Sequence, residues 1–339
     1  MFIKLFFVLN VNLSVIKIDK INKAHDRIMP YIHRTPVLTN KSLNKLCSAE
    51  LYFKCENFQK AGSFKIRGAT NAVMLLDDNC VKQGIVTVSS GNHGAALSMA
   101  VKLRDGITYV IMPKNTSKIK VENVTRYGGK IIWCEATLQS REKTLKKVIG
   151  ESGLTLVHPY NDINIIIGQG TVAKEFFEEI PELDIIISPV SGGGLLSGTL
   201  IFAKEMSSKI CVFGAEPEEA NDAFKSLKKG TIQSNKTTNT ICDGLRAQLG
   251  EVCFPIIKKH VDEIITVSEK EIVESMFMIW ERIKIIVEPS CAISLAAILK
   301  RKDKIRGKKV GLILSGGNVD LTQLPWMSTK LNLGNLISS

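Results

Sequence analysis

No CxxC pair and no paired Cys/His spacing occurs among the eight cysteines at 47, 55, 80, 134, 211, 242, 253 and 291. The sequence therefore writes neither a zinc site nor a disulfide framework, and a reducing, cytoplasmic setting is the expectation. Apolar runs long enough for a bilayer are missing too. The uncharged run 5–16 is too short and lacks a small-residue cleavage pattern, and the run 185–203 is interrupted by Pro189 and Gly192-Gly193-Gly194. No membrane segment is expected. No block of five like charges accompanies the net charge of +12, which at 23% charged residues is a mild basic bias rather than a nucleic-acid tail. There is no internal repeat, and the one polar tract, 231–240, reads as a surface loop. Residues 1–20 read as an N-terminal extension and 330–339 as a C-terminal tail.

What is present is a large apolar fraction, 45% of 339 residues, enough to bury the cores of two domains. Strand-like runs recur at 85–88, 107–112, 130–133, 154–157, 184–190, 210–213, 263–267 and 310–314. Stretches with helical apolar spacing separate most of them. One is Ile272, Val273, Met276, Ile279, Trp280 and Ile283, opened by Ser268 and Glu271 at the spacing of a capping box. Short strands alternating with helices predict an α/β fold of two doubly wound parallel sheets, whose ligands bind beyond the carboxyl ends of the strands.

Chemistry is therefore sought at strand-to-helix turns. Ser191-Gly192-Gly193-Gly194-Leu195 follows the run 184–190, and its glycines could admit a phosphate to a helix N-terminus or simply allow close packing. The glycines at 192, 194 and 198 miss GxGxxG by one place, and no GxxxxGK[ST] occurs. Ser89-Ser90-Gly91-Asn92-His93-Gly94 follows 85–88 and offers either polar ligand contacts or an N-cap. Lys65, within Gly62-Ser63-Phe64-Lys65-Ile66-Arg67-Gly68, sits between apolar neighbours at a helix start, where burial and the helix dipole would lower its pKa and free a nucleophilic amine. Its alternative reading is an ordinary surface lysine. Ser315-Gly316-Gly317-Asn318 is a fourth turn of the same type. The acidic stretch 213–222 suits a hard divalent cation or a solvated loop.

These turns, with Phe53-Lys54-Cys55-Glu56 and Gly168-Gln169-Gly170-Thr171, together resemble the fold-type-II family of pyridoxal-phosphate enzymes, of the serine/threonine dehydratase-like kind, from about residue 21 to 322. The resemblance implies a large cofactor-binding domain from 21–77 and 160–329 and a small domain from 78–159. It implies that Lys65 carries pyridoxal 5'-phosphate covalently, that Ser191, Gly192, Gly193, Gly194 and Leu195 hold the phosphate, that Asn92 bonds the ring hydroxyl and that Ser315 meets the ring nitrogen. It further implies racemisation of serine, with Lys65 and Ser90 serving opposite faces of the α-carbon, together with dehydration of serine to pyruvate and ammonia. The alternatives are a threonine, serine or hydroxyaspartate dehydratase with negligible racemase activity and, more remotely, a catalytically idle binding protein on the same fold. Glu216, the Ala220 carbonyl and Asp222 would bind Mg (or Mn or Ca), while Lys60, Tyr127, Lys284 and Asn318 match an ATP site at a homodimer interface. Two departures stand out: Ser191 replaces a glycine, and Tyr160 stands where animal members have asparagine. The amino-acid-sensing domain of biosynthetic threonine dehydratases, and with it isoleucine feedback, is not expected.

Overall fold

The runs rich in Ile and Val form the inner strands, because a strand covered on both faces has no polar side to alternate with. The structure, a computed structural model, describes residues 17–89 and 91–328. Its strands are β1 (Val37–Leu38), β2 (Glu50–Cys55), β3 (Ile85–Val88), β4 (Thr108–Pro113), β5 (Lys130–Cys134), β6 (Thr155–Leu156), β7 (Ile185–Pro189), β8 (Cys211–Pro217), β9 (Glu263–Val267) and β10 (Lys309–Leu314). They make a six-stranded sheet in the order β1-β2-β10-β7-β8-β9 and a four-stranded sheet in the order β5-β4-β3-β6. All pairings are parallel except β1 with β2. In the larger sheet Ile185, Ile187, Leu312 and Leu314 join one apolar cluster, while Ile186 and Ile313 join another on the opposite face. This is the doubly wound α/β arrangement expected from the sequence.

Two details correct that expectation. β1 and β2 fall outside the anticipated runs, and β6 is shorter than 154–157. β2 escapes a hydrophobicity reading because Lys54, a charged residue, sits fully buried inside it. The capping box forms as anticipated, with Ser268 and Glu271 each bonding the other's backbone N–H ahead of the helix Glu269–Met278. Residues 231–240 form an irregular loop, and all eight cysteines are free thiols. Among the described residues no helix is long and apolar enough to cross a membrane.

A buried ionic network holds the larger layer together. Arg67, 0% exposed, donates from Nε and Nη2 to both oxygens of Glu56 (2.7 and 2.8 Å) and from Nη1 and Nη2 to both oxygens of Glu175 (2.8 and 2.7 Å). Lys54 donates to Glu175 (2.8 Å) and to the Thr35 carbonyl (2.7 Å), and the Thr35 hydroxyl donates to Glu56 (2.6 Å). Burial alone would raise the Glu175 carboxyl; the hydrogen bonds and charge of Arg67, with Lys54, hold it down at about 2. The stability this contributes is complete above the unfolded carboxylate pKa and is lost as pH falls through about 2. Removing the guanidinium leaves two carboxylates buried without their main partner. Arg67→Met should cost about 3–5 kcal/mol in guanidinium unfolding and should move acid unfolding to higher pH; a loss below about 1 kcal/mol would overturn this account.

Candidate functional site

The helix Lys65–Met74 begins at Lys65 with no side-chain cap, and the turn before it is locked to the end of β10. Phe64 N–H donates to the Ser315 carbonyl (3.1 Å), Gly317 N–H to the Gly62 carbonyl (2.9 Å), and Ser63 bridges to Gly316. These bonds bring two of the sequence-derived turns together. Lys65 Nζ points inward and donates to the Pro159 carbonyl at 3.1 Å. Burial lowers its pKa to about 8, with Cys253 and Glu288 opposing the drop. The surface-lysine reading is thereby excluded. Burial, with the Lys65 charge, also holds His158 down at about 4 and His93 well below its ordinary value, so both imidazoles are neutral beside the amine at neutral pH.

The third turn supplies Asn92, which opens the helix Asn92–Lys102 without capping it. The capping-type bonds come from Ser89, whose hydroxyl accepts from Gly91 N–H (3.1 Å) and Gly94 N–H (2.9 Å). Asn92 reaches across instead, donating to Glu288 Oε1 (2.8 Å) and accepting from Asn318 Nδ2 (3.0 Å). Ser90 lies outside the described residues. Asn318 also donates to the Ala61 carbonyl (2.8 Å), so this candidate nucleotide contact is tied to the Lys65 and Asn92 turns. Tyr127 packs against the apolar cluster containing Ala61, and Lys284 adopts a left-handed backbone (φ 65°).

At the glycine turn Gly193 takes φ +95°, a conformation L side chains rarely adopt, and the helix Gly194–Met206 starts there with no side-chain cap. The N–H groups of its first turn have no intrahelical acceptors and face an anion-favouring dipole end. Close packing operates as well: a Cβ at position 192 would fall 2.3 Å from the Tyr160 ring, and one at 198 would fall 2.5 Å from Gly170 N. Ser191 exchanges hydrogen bonds with Ala247 through its hydroxyl (3.0 and 3.2 Å). Cys253 lies beneath, its thiol bonded to the Tyr160 carbonyl (3.4 Å) and its Cβ 2.8 Å from where one at Gly193 would stand.

Glu216 and Asp222 are buried at the end of β8 and at the start of the helix Asp222–Lys229, which rules out a solvated acidic loop for this pair. Glu218 and Glu219, between them, are exposed. Glu216 accepts from Ala223 and Phe224 N–H, each at 2.9 Å; Asp222 accepts from Asn235 Nδ2 and Leu249 N–H, each at 2.7 Å. Burial pushes Asp222 up to about 6; burial and the Asp222 charge push Glu216 well above the carboxylate range. Two buried carboxylates whose charged forms are disfavoured by burial have oxygen donors of the kind that suits a hard divalent ion. The pair is also wired to the glycine turn, because Leu249, bonded to Asp222, precedes Gly250, whose N–H donates to the Gly192 carbonyl (3.0 Å).

Sequence reasoning missed Glu288, Lys120 and Cys253, which have no motif of their own and are recognisable only by what surrounds them. Glu288 is raised by burial, with Lys120 opposing. Lys120 is raised because Glu288 and Asp243 outweigh its burial.

Residues 28–316 match the profile of the family described as "Pyridoxal-phosphate dependent enzyme". Serine racemase of Arabidopsis thaliana is 51% identical over 315 residues, covering 91% of this chain and 95% of that protein. The beta-hydroxyaspartate dehydratase of Paracoccus denitrificans is 48% identical over 303 residues, covering 89% and 96%. A structure of maize serine racemase superposes with a TM-score of 0.89 at 47% identity, covering 95% of this chain and 99% of that one.

An amine with a pKa near 8 reacts with aldehydes at a pH where exposed lysines remain protonated. Reductive trapping of pyridoxal phosphate on the apoprotein, followed by peptide mapping, should place the label on Lys65. Its rate should rise about tenfold between pH 6 and 7 and level off above about pH 8. A label elsewhere, or a rate still climbing at pH 10, would refute the assignment. With residues 28–316 matched to the profile and relatives near 50% identity along almost the whole length, the chain belongs to the pyridoxal-phosphate dependent enzyme family.

Proposed function

We propose that the protein is a serine racemase, interconverting L-serine and D-serine and also eliminating water from serine to an enamine whose hydrolysis gives pyruvate and ammonia. The observation that carries this reading is Lys65, a part-buried amine of lowered pKa where its turn meets those of Ser315 and Asn92, in a chain 51% identical to a serine racemase. Bound pyridoxal phosphate supplies an electron sink that acidifies the substrate's α-carbon. The Lys65 amine holds and moves the proton on one face. Inversion requires a second acid–base group on the other face, since one group returns the proton to the side it came from. Ser90 is assigned that role. Neutral His93 and His158 add no positive charge beside Lys65, so the amine is free to cycle between its protonation states.

In the same reading Ser191, Gly192, Gly193, Gly194 and Leu195 bind the phosphate, Asn92 the ring hydroxyl and Ser315 the ring nitrogen. Glu216, the Ala220 carbonyl and Asp222 bind magnesium, which stiffens the glycine turn through Leu249 and Gly250. Lys60, Tyr127, Lys284 and Asn318 contact ATP as an activator; in support, Asn318 bonds both Ala61 and Asn92. The large domain is drawn from 21–77 and 160–329 and the small one from 78–159, in a cytoplasmic homodimer acting on serine and, secondarily, threonine. A dehydratase of hydroxyaspartate or threonine is the second reading, favoured by Tyr160 over the glycine turn and by the 48% identical relative.

Chiral analysis of product from L-serine, run beside a pyruvate assay, separates the two readings: D-serine supports the first, pyruvate without D-serine the second. Lys65→Ala should abolish both products. Ser90→Ala should abolish racemisation while keeping elimination from L-serine within about threefold of the parent; equal loss of both would sink the two-face assignment. Chelation should lower the thermal midpoint of the holoenzyme, and Glu216→Gln should be insensitive to chelator. An unchanged midpoint in the parent would remove the metal from the scheme.

A further inference from the structure

Lys120 joins the two sheet layers across the site. It lies on the helix Lys118–Arg126, which leads from β4 to β5 in the four-stranded layer, yet its side chain is only 5% exposed. Its Nζ stands 2.5 Å from Asp243 Oδ2 and 3.6 Å from Glu288 Oε2. Both carboxylates belong to the other layer. Asp243 opens the turn Asp243–Leu245, and Glu288 precedes the helix Pro289–Lys300 beneath the Ser315 turn, where its N–H donates to the Gly316 carbonyl (3.0 Å). On the way across, the alkyl stem of Lys120 covers Gly91: a Cβ at position 91 would lie 2.4 Å from Lys120 Cδ.

One ammonium thus serves two acids of the opposite layer, while its stem rests on the turn that carries Ser89 and Asn92. Among the described residues the side chain hydrogen-bonded to Glu288 is that of Asn92, which is assigned to the cofactor ring. Once Asn92 turns to that ring, Lys120 is the group left to hold the buried Glu288 carboxylate. We propose that Lys120 is a positioning residue, a latch that clamps the small-domain turn at Gly91–Gly94 onto Asp243 and Glu288 and so sets the closed form of the substrate cleft. Substrate binding then draws on a cleft already held shut, so the latch contributes to affinity more than to the chemical step. The kinetic part of this inference rests on the serine reading above.

Lys120→Met keeps the length of the stem and deletes the charge; Lys120→Arg keeps a charge. In the ligand-free holoenzyme Lys120→Met should speed amide hydrogen exchange at 91–94 and 243–245 by about tenfold, with exchange in β7 and β8 unchanged. It should raise the KM for L-serine by about tenfold, leaving kcat within about threefold, and Lys120→Arg should recover most of both. Asp243→Asn, which breaks the shorter contact from the other side, should shift exchange and KM in the same direction if Lys120→Met does not fold. Unchanged exchange at both segments in the folded variants, or a fall in kcat at constant KM, would overturn the latch. The exchange measurement needs no turnover, so failure of the latch is distinguishable from an error in the choice of serine.

Discussion

A single buried guanidinium sets the frame on which the site is built. Arg67 stands two residues after Lys65 and binds Glu56, from the turn after β2, and Glu175, from the helix Ile163–Glu179. A buried charge network of this kind adds little net stability compared with an apolar replacement, but it tolerates only one geometry, because any displacement leaves a charge without a partner. The start of the Lys65 helix is therefore fixed against two other elements at once. The direction of the Lys65 amine follows from that constraint, not from helix propensity.

The same network explains why three separated segments of sequence travel together. Lys54 and Glu56, Arg67 within the Lys65 turn, and Thr171 and Glu175 after Gly168-Gln169-Gly170 contribute to one ionic cluster. Gly68 and Gly168 permit the close approach it requires, since a Cβ at 168 would lie 2.6 Å from Gly68 Cα. The segments that carry the family resemblance are thus partly scaffold. In the proposed reading the chemistry falls to the turn ends, outside that ionic cluster.

Around that frame the site has a graded electrostatic design. Lys65, His93 and His158 are all shifted toward their neutral forms by burial, so the imidazoles are neutral and the amine is the one base of the three whose charge changes just above neutral pH. Glu288, which faces Lys65, and the Glu216–Asp222 pair, tied to the glycine turn, are shifted upward by the same cause. Burial in each case raises the cost of carrying charge alone, so every one of these groups responds strongly to a partner of opposite sign. That property suits a site whose cofactor brings its own anionic phosphate.

Much of this was legible in the sequence. Periodicity located eight of the ten strands, the capping box marked Ser268 and Glu271, and glycine and hydroxyl residues singled out four turns, three of which the fold joins by hydrogen bonds. Such features are local: they depend on backbone freedom, capping and the alternation of apolar residues within a few positions. Other features were closed to that reading. Lys54 kept β2 out of the strand-like runs, and its partner Glu175 is 121 residues away. Glu288 and Lys120 sit in unremarkable contexts and acquire meaning from a pairing across 168 residues, since 288 minus 120 is 168. The sequence by itself determined the elements, the turns and the residue types available for chemistry, because those follow from short-range sterics and hydrophobic spacing. Only the tertiary structure decided which charges meet, since an ion pair's energy depends on distance and burial in space, and neither is encoded in the order of neighbouring residues.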